Sequence, residues 1–276
     1  MANITASEVN KLRQMTGAGM MDCKNALVEA EGDYDKAIDI LRKKGQKVAS
    51  KRADKQANEG IVLARTTDDK KFAAVIMLNC ETDFVAKNQE FVTFANDVIK
   101  LVLSAKPVDI GKVKSLAYNG RTVADGITDL IGKTGEKMEL SGYGFVEAGK
   151  VFAYNHQGNR LATILGMSKT DASESAGHEL AMQVAAMNPV AVDKDDVPKS
   201  VIDKEIEIGM EQARQEGKPE NMLEKIAVGK LNKFYKDNTL LNQDFVRDTK
   251  ITVGQYLKQV DPELKVTGFR RLMLGA

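Results

Sequence analysis

The sequence is poor in the residues from which reactive centres are most often built. Its 276 residues include two cysteines and two histidines. Cys23 and Cys80 stand far apart with no partner at metal-ligand spacing, so free, buried thiols in a reducing compartment are expected. His156 and His178 lie near no nucleophile in a recognisable motif. No metal cluster, paired-acid constellation or glycine-rich phosphate loop appears either. Charge of one sign is missing too: 40 Lys and Arg face 39 Asp and Glu, a net charge of +1, so no global field gathers nucleic acid or membrane. No apolar run approaches the ~20 residues needed to span a bilayer. The first residues, Met1 to Glu8, lack the basic start and apolar core of a secretory signal. These absences predict a cytoplasmic protein that is not an enzyme, with no cofactor, no metal, no membrane and no direct nucleic-acid partner.

What is present is a mixed, α+β pattern. The length accommodates two or three domains, and the apolar fraction of 43% is that of a globular protein. Three short helices are predicted first. Thr5-x-x-Glu8 has the form of a capping box, with Val9 and Leu12 beginning a stripe. Gly17-Ala18-Gly19 breaks it, a second helix carries Met20, Cys23, Leu27 and Ala30, and Gly32 stops that. Asp33 caps a third helix with Tyr34, Ala37, Ile38 and Leu41 on one face, which Gly45 is expected to close. Met20 and Met21 are adjacent, so one helix face cannot bury both. Either Met20 enters the core and Met21 is a stray exposed residue, or the Gly17–Met21 turn is an adaptable apolar contact for a partner. Lys43, Lys44, Lys47, Lys51, Arg52 and Lys55 follow, with Asp54 as the one acid among them. Without interleaved aromatics for base stacking, they read as a solvated linker rather than an RNA site.

The middle of the chain repeats. Gly60–Ala64 aligns with Gly149–Ala153, and Lys71–Ile76 aligns at the same offset with Arg160–Leu165. Each copy reads as strand, polar turn, strand and helix, with turns at Thr66–Lys70 and Asn155–Asn159. The helices are placed at Phe91–Leu103 and about Ser175–Met187. A two-stranded hairpin is not stable alone, so each copy must pack on its helix and extend its sheet. Between the copies, Asp109–Gly135 is predicted as a helix and a loop ending Leu130-Ile-Gly-Lys-Thr-Gly135. The Gly132-Lys133-Thr134 tripeptide suggests a P-loop, but that motif needs glycine at position 127, which is Ile127; Gly126 misses by one. After Pro189 the pattern is purely helical. Ile202, Ile206, Met210 and Ala213, a turn at Gly217–Pro219, then Leu223 and Ile226 predict an αα-hairpin inserted into the second copy. A helix with Val253 and Leu257 and a strand from Val266 to Leu274 complete it. The domains are drawn at 1–54, 55–140 and 141–276, with the insertion at about 190–236.

The junction after Phe72–Leu78 concentrates the functional signal. Glu81-Thr82-Asp83 ends a buried strand, and Phe84 and Val85 follow at a turn or first helical residues. Phe84 either caps the core between strand and helix or is held out to touch a partner.

Two strings decide what the chain is like. Asn79–Lys87, Asn-Cys-Glu-Thr-Asp-Phe-Val-Ala-Lys, resembles one signature of the translation elongation factor Ts family, the nucleotide-exchange factors of the GTPase elongation factor Tu. Thr16–Lys24, Thr-Gly-Ala-Gly-Met-Met-Asp-Cys-Lys, resembles the other. The resemblance implies an N-terminal bundle like the ubiquitin-associated fold, and a core of two sheet-plus-helix subdomains. It implies that Thr82, Asp83, Phe84 and Val85 displace the partner's magnesium. Arg13, Met20 and Met21 would contact the GTPase domain, and Ile131 (on a loop) and His156 would make weaker contacts. At His156 the family has small residues following, where Gln157-Gly158-Asn159 stand here. The inserted hairpin resembles the family's element for dimerisation or partner contact, with packing on its own chain as the alternative. Some members continue into a further C-terminal helix, and the sequence ending at Ala276 is expected to lack contacts made there. Two other readings are a chaperone-like module using the bundle to dock a partner, and a degenerate nucleotide-binding enzyme around Gly132.

Overall fold

The computed structural model describes residues 4–275. Helix α1 (Ala6–Thr16) begins at the capping box: Thr5 Oγ1 accepts from the Glu8 N–H and the Glu8 carboxylate accepts from the Thr5 N–H. Gly17, left-handed at φ 68°, ends it. Helix α2 (Met20–Glu29) and helix α3 (Tyr34–Lys51), capped by the Asp33 side chain, complete the bundle. Val9, Leu12, Cys23, Ala26, Leu27 and Ala37 fill a core of its own.

Gly45 does not close the third helix. α3 runs on to Lys51, so most of the basic stretch expected as a linker is helix. Its glycine serves packing instead, as the next elements show.

Strands β1 (Glu59–Thr66) and β2 (Phe72–Cys80) form the first hairpin, followed by the single turn α4 (Asp83–Ala86) and helix α5 (Gln89–Ala105). Every residue of β2 except Met77 is buried, which is why its sequence is a continuous apolar run. Then come α6 (Ile110–Lys114), the short ribbon β3 (Ala117–Tyr118) and β4 (Arg121–Thr122), helix α7 (Val123–Thr134) and strand β5 (Met138–Glu147). β5 is the third strand of a sheet ordered β1-β2-β5.

The loop expected at Leu130–Thr134 is therefore the last turn and a half of α7, which begins at a Thr122/Asp125 capping box and ends at left-handed Gly135. Ile131 is on that helix and buried, not displayed on a loop. The reason is the close crossing of α3 on α7. A Cβ on Gly45 would lie 2.9 Å from the Thr128 carbonyl oxygen, and one on Gly132 would lie 3.3 Å from the Gly45 Cα. Two glycines facing each other let the backbones touch. Glycine costs a helix interior about 0.5–1 kcal/mol relative to alanine, so sequence propensity alone reads both as ends.

The second copy consists of β6 (Lys150–Asn155), β7 (Leu161–Met167) and α8 (Glu174–Met187). β6 and β7 are antiparallel from Lys150↔Met167 to Asn155↔Ala162. Both hairpins place a glycine where one strand crosses its neighbour's backbone. A Cβ on Gly60 would come 2.1 Å from the Leu78 oxygen, and one on Gly149 would come 2.3 Å from the Ser168 oxygen. The repeat in the sequence is thus a repeat of backbone geometry.

Helices α9 (Lys199–Gln215) and α10 (Glu220–Asn238) form the inserted hairpin. They meet along Gly209, Ala213, Leu223, Ala227 and Leu231. Strands β8 (Asp244–Phe245) and β9 (Asp248–Thr252), helix α11 (Val253–Val260) and strand β10 (Val266–Met273) follow, and β10 pairs with β7 in the order β10-β7-β6. The fold is α+β, as the sequence implied. By internal contacts it forms two units. One comprises the chain up to Leu63, Ile76–Tyr143 and the end from Met273; the other comprises Ala64–Val75 and Gly144–Leu272. Among the described residues no helix is long and apolar enough to cross a membrane.

Among the described residues, one apolar core of the second unit draws on Phe152, Leu165, Leu180, Phe245, Val253, Val266 and others, and on none of α9 or α10. The stem of the insertion is closed by Val190 donating to the Asn238 carbonyl at 2.8 Å and by a parallel bridge between Ala191 and Thr239. Replacing Lys199–Tyr235 with a short Gly-Ser linker is therefore expected to leave one cooperative unfolding transition. Circular dichroism melts check this; loss of any cooperative transition would place the hairpin in the core.

Candidate partner-binding site

The turn after β2 is built from both sides. Asn79, buried, donates from its amide to the Ala57 carbonyl at 2.9 Å and accepts from the Ser141 hydroxyl. Cys80 is buried, and its thiol donates to the Thr82 carbonyl at 3.2 Å. Burial, followed by the Glu136 and Glu59 carboxylates, pushes that thiol up to about 12, so it stays protonated and inert. Thr82 is extended at φ −121° and caps α4 by accepting from the Val85 N–H at 3.4 Å.

The first unit also holds Thr82 and Glu81 from outside. The Glu136 carboxylate accepts from the Thr82 N–H at 3.1 Å and from its hydroxyl at 2.7 Å. Arg52, capping α3, donates to both oxygens of Glu81 at 2.9 and 2.7 Å, and the Lys137 N–H donates to Glu81 as well. Burial pushes the Glu81 carboxyl up. The Lys137 N–H and the Arg52 guanidinium outweigh burial and hold it below the usual carboxylate range.

On this base the four residues of α4 separate sharply. Val85 points inward and is buried, while Phe84 is 83% exposed. That number rejects the core-capping reading of Phe84. Asp83 is ion-paired with Lys87 at 2.7 Å one turn on, and the hydrogen bond from Lys87 holds its carboxyl below its ordinary value. An aromatic ring and a carboxylate are thus presented side by side on a short, fixed turn.

The Gly17 turn is the second surface. Thr16 donates to the Leu12 carbonyl at 2.8 Å and accepts from the Ala18 N–H at 3.3 Å. Ala18 is buried, whereas Arg13, Met20 and Met21 are exposed. Met20 does not enter the core: it is the first residue of α2, and side chains lean toward a helix N-terminus, past the end of the bundle. Met15, not singled out from the sequence, is exposed beside them at 57%. Gly17 lies over Lys133 of α7, which pairs with Glu90 at the start of α5. Lys133 and Glu90 thus tie the methionine turn to α7 and to α5, the helix that follows α4.

His156, in the second unit, is exposed at the β6–β7 turn, with Nδ1 2.9 Å from the Tyr154 hydroxyl. The His178 ring stands edge-on to Tyr154, with centroids 5.6 Å apart, so the chain's two histidines share one tyrosine. Glu136 and Lys137 carry no signal in the sequence, and Arg52 reads there only as part of a solvated basic stretch. They stand 54, 56 and 29 residues from their partners in the turn, and only the fold brings them there.

A family model described as Elongation factor TS matches residues 81–276. Proteins named Elongation factor Ts are similar along the whole chain. That of Christiangramia forsetii is 51% identical over 276 residues, covering 100% of both chains. That of Amoebophilus asiaticus is 51% identical over 275 residues, covering 99% of each. That of Porphyromonas gingivalis is 48% identical over 274 residues, again covering 99% of each. The matched region begins at Glu81, at the base of the Phe84 turn, and the relatives extend the likeness across the bundle. With half the residues shared over the full length of each relative, the chain belongs to the elongation factor Ts family of translation elongation factors.

Proposed function

We propose that the chain is a guanine-nucleotide exchange factor for elongation factor Tu, acting by binding rather than by covalent chemistry. The observation that carries this reading is Phe84, 83% exposed on a turn whose neighbours are all tied down. A large ring kept in water at the end of a buried strand is of use to a partner, not to its own core.

GDP on a P-loop GTPase is held in part through Mg²⁺ at its β-phosphate, and Mg²⁺ demands near-ideal octahedral geometry. A ring the size of Phe84 wedged between partner helices shifts the groups that frame the metal. Asp83 competes for their hydrogen bonds, with Thr82 and Val85 setting the turn. Arg13, Met20 and Met21 grip the GTPase domain, and His156 braces a second contact. The buried Ile131 contributes through the packing of α7. Binding of this chain and of nucleotide are then negatively coupled, and linkage makes the coupling reciprocal.

The test is release of fluorescent GDP from elongation factor Tu against the concentration of this chain. The rate is expected to rise and saturate; release at the spontaneous rate at every concentration would sink the reading. The chain alone is expected to bind neither GDP nor GTP. Gly132 and Lys133 lie inside α7, where backbone N–H groups are engaged by the helix and cannot cradle phosphate. Stoichiometric GTP binding at micromolar concentration in equilibrium dialysis would contradict this.

A further inference from the structure

A ring held in water on a single helical turn raises the question of what holds it. Isolated short helices are unstable in water, and α4 has four residues of which one, Val85, is buried. Unrestrained, the turn would sample many conformations, and in the bound complex the ring would seldom stand where it displaces the partner's groups.

We propose that Glu136 is a positioning residue for the Asp83–Phe84 turn. Its carboxylate clamps Thr82 with both oxygens, so that Phe84 is aimed before the partner arrives. The proposal rests on the reading of this turn as the exchange wedge.

The chemistry of a hydroxyl carries the argument. Thr82 Oγ1 has one proton and two lone pairs. Donating that proton to Glu136 Oε1 at 2.7 Å turns the lone pairs toward the Val85 N–H, which is the cap that starts α4. The other oxygen, Oε2, takes the Thr82 N–H at 3.1 Å, a donor that α4 itself cannot satisfy. One carboxylate thus fixes both the backbone and the rotor of the capping residue, with charge-assisted bonds.

Glu136 is itself held. It follows left-handed Gly135, and its N–H donates to Thr134 Oγ1 at 3.3 Å. The next residue, Lys137, donates its N–H to Glu81 and its ammonium to the Ala53 and Lys55 carbonyls at 2.6 and 2.9 Å. Residues 136 and 137 therefore grip residues 82 and 81 in register, and the same segment is tied to the chain just beyond α3. The clamp stands on backbone after a helix end, not on a flexible loop.

Two measurements test the proposal. In the free chain, Glu136→Ala is expected to speed hydrogen exchange of the Thr82 amide and the 85–88 amides about tenfold, the scale of a lost charge-assisted bond, leaving β2 and α5 unchanged. With elongation factor Tu, the saturating rate of GDP release should fall about five- to tenfold, with little change in the half-saturating concentration. Glu136→Gln, which keeps one acceptor oxygen, should fall between. On a Phe84→Ala background, Glu136→Ala should cost nothing further, because it acts through the ring. Turn amides that exchange at the parental rate would overturn the proposal, as would a loss that repeats in full without Phe84. A loosened turn with undiminished release, alongside a defective Phe84→Ala, would overturn it too and leave the wedge standing. A Phe84→Ala chain that exchanges normally would instead overturn the wedge reading of this turn and leave the exchange reading standing. The clamp is then decided by the amide measurement, which involves no partner.

Discussion

Phe84→Ala is expected to melt close to the parent chain and yet to lose more than about tenfold in stimulated GDP release. Truncating a buried phenylalanine costs ~3–5 kcal/mol of stability, but Phe84 is 83% exposed and gives up little buried surface. A well-packed aromatic anchor in a complex carries ~2 kcal/mol or more, hence the tenfold and larger loss. Asp83→Ala should act in the same direction and less strongly. The carboxylate is already paired with Lys87 at 2.7 Å, so removing it leaves the turn's cap intact. The proposed wedge joins ring and carboxylate, so the double variant should lose less than the two single losses combined. Arg13→Ala, on the bundle proposed to hold the partner, should raise the half-saturating concentration while saturating release survives. Release curves with thermal melts on each variant decide the matter. A Phe84→Ala chain that melts normally and exchanges at the parental rate ends the wedge model.

Gly45→Leu is expected to have the opposite signature: half-saturation shifted upward by more than about tenfold and stability lowered. At Gly45 a Cβ already sits 2.9 Å from the Thr128 carbonyl oxygen and 3.4 Å from the Gly132 Cα. Those atoms are backbone and cannot rotate away, so α3 must move off α7. Overpacking of this kind costs about 1–3 kcal/mol, and occasionally more. The bundle should keep its helices, because its core of Leu12, Cys23, Leu27 and Ala37 does not involve α7. What is lost is the fixed relation between the methionine turn, the Arg52–Glu81 pair and Phe84. The expected readouts are unchanged helical circular dichroism, faster proteolysis across residues 52–58 and weakened binding. Parental affinity and proteolysis in this variant would mean that the glycine crossing does no more than fill space. Gly45→Ala separates propensity from packing: alanine gains about 0.5–1 kcal/mol as a helix former, so the contact costs the net loss of stability plus that gain.

Local chemistry made much of this protein legible in advance. The capping box at Thr5, the left-handed glycine at position 17 and the Asp33 cap mark real helix ends, because they satisfy backbone groups within a few residues. The hairpin turns, the helices after each hairpin and the inserted helical pair followed from periodicity for the same reason. The two signature strings singled out Phe84 and the methionine turn, both of which are exposed in the structure. What periodicity misread were two glycines whose role is tertiary. Gly45 and Gly132 read as a helix end and a loop because a glycine facing a second helix looks, in sequence, like one facing solvent. Ile131, placed on a loop by the family resemblance, is buried because α7 runs on through it.

The sequence by itself determined most of the elements, the duplication and the family, since caps, turns, hydrophobic period and signature strings are short-range and travel with the chain. Tertiary structure alone decided which of the residues beside Phe84 face inward. It also decided that α3 lies against α7 on bare backbone, and that Glu136 and Arg52 hold a turn 54 and 29 residues away. Those decisions depend on steric fit and on hydrogen bonds between distant segments, and neither leaves a period or a motif in the chain.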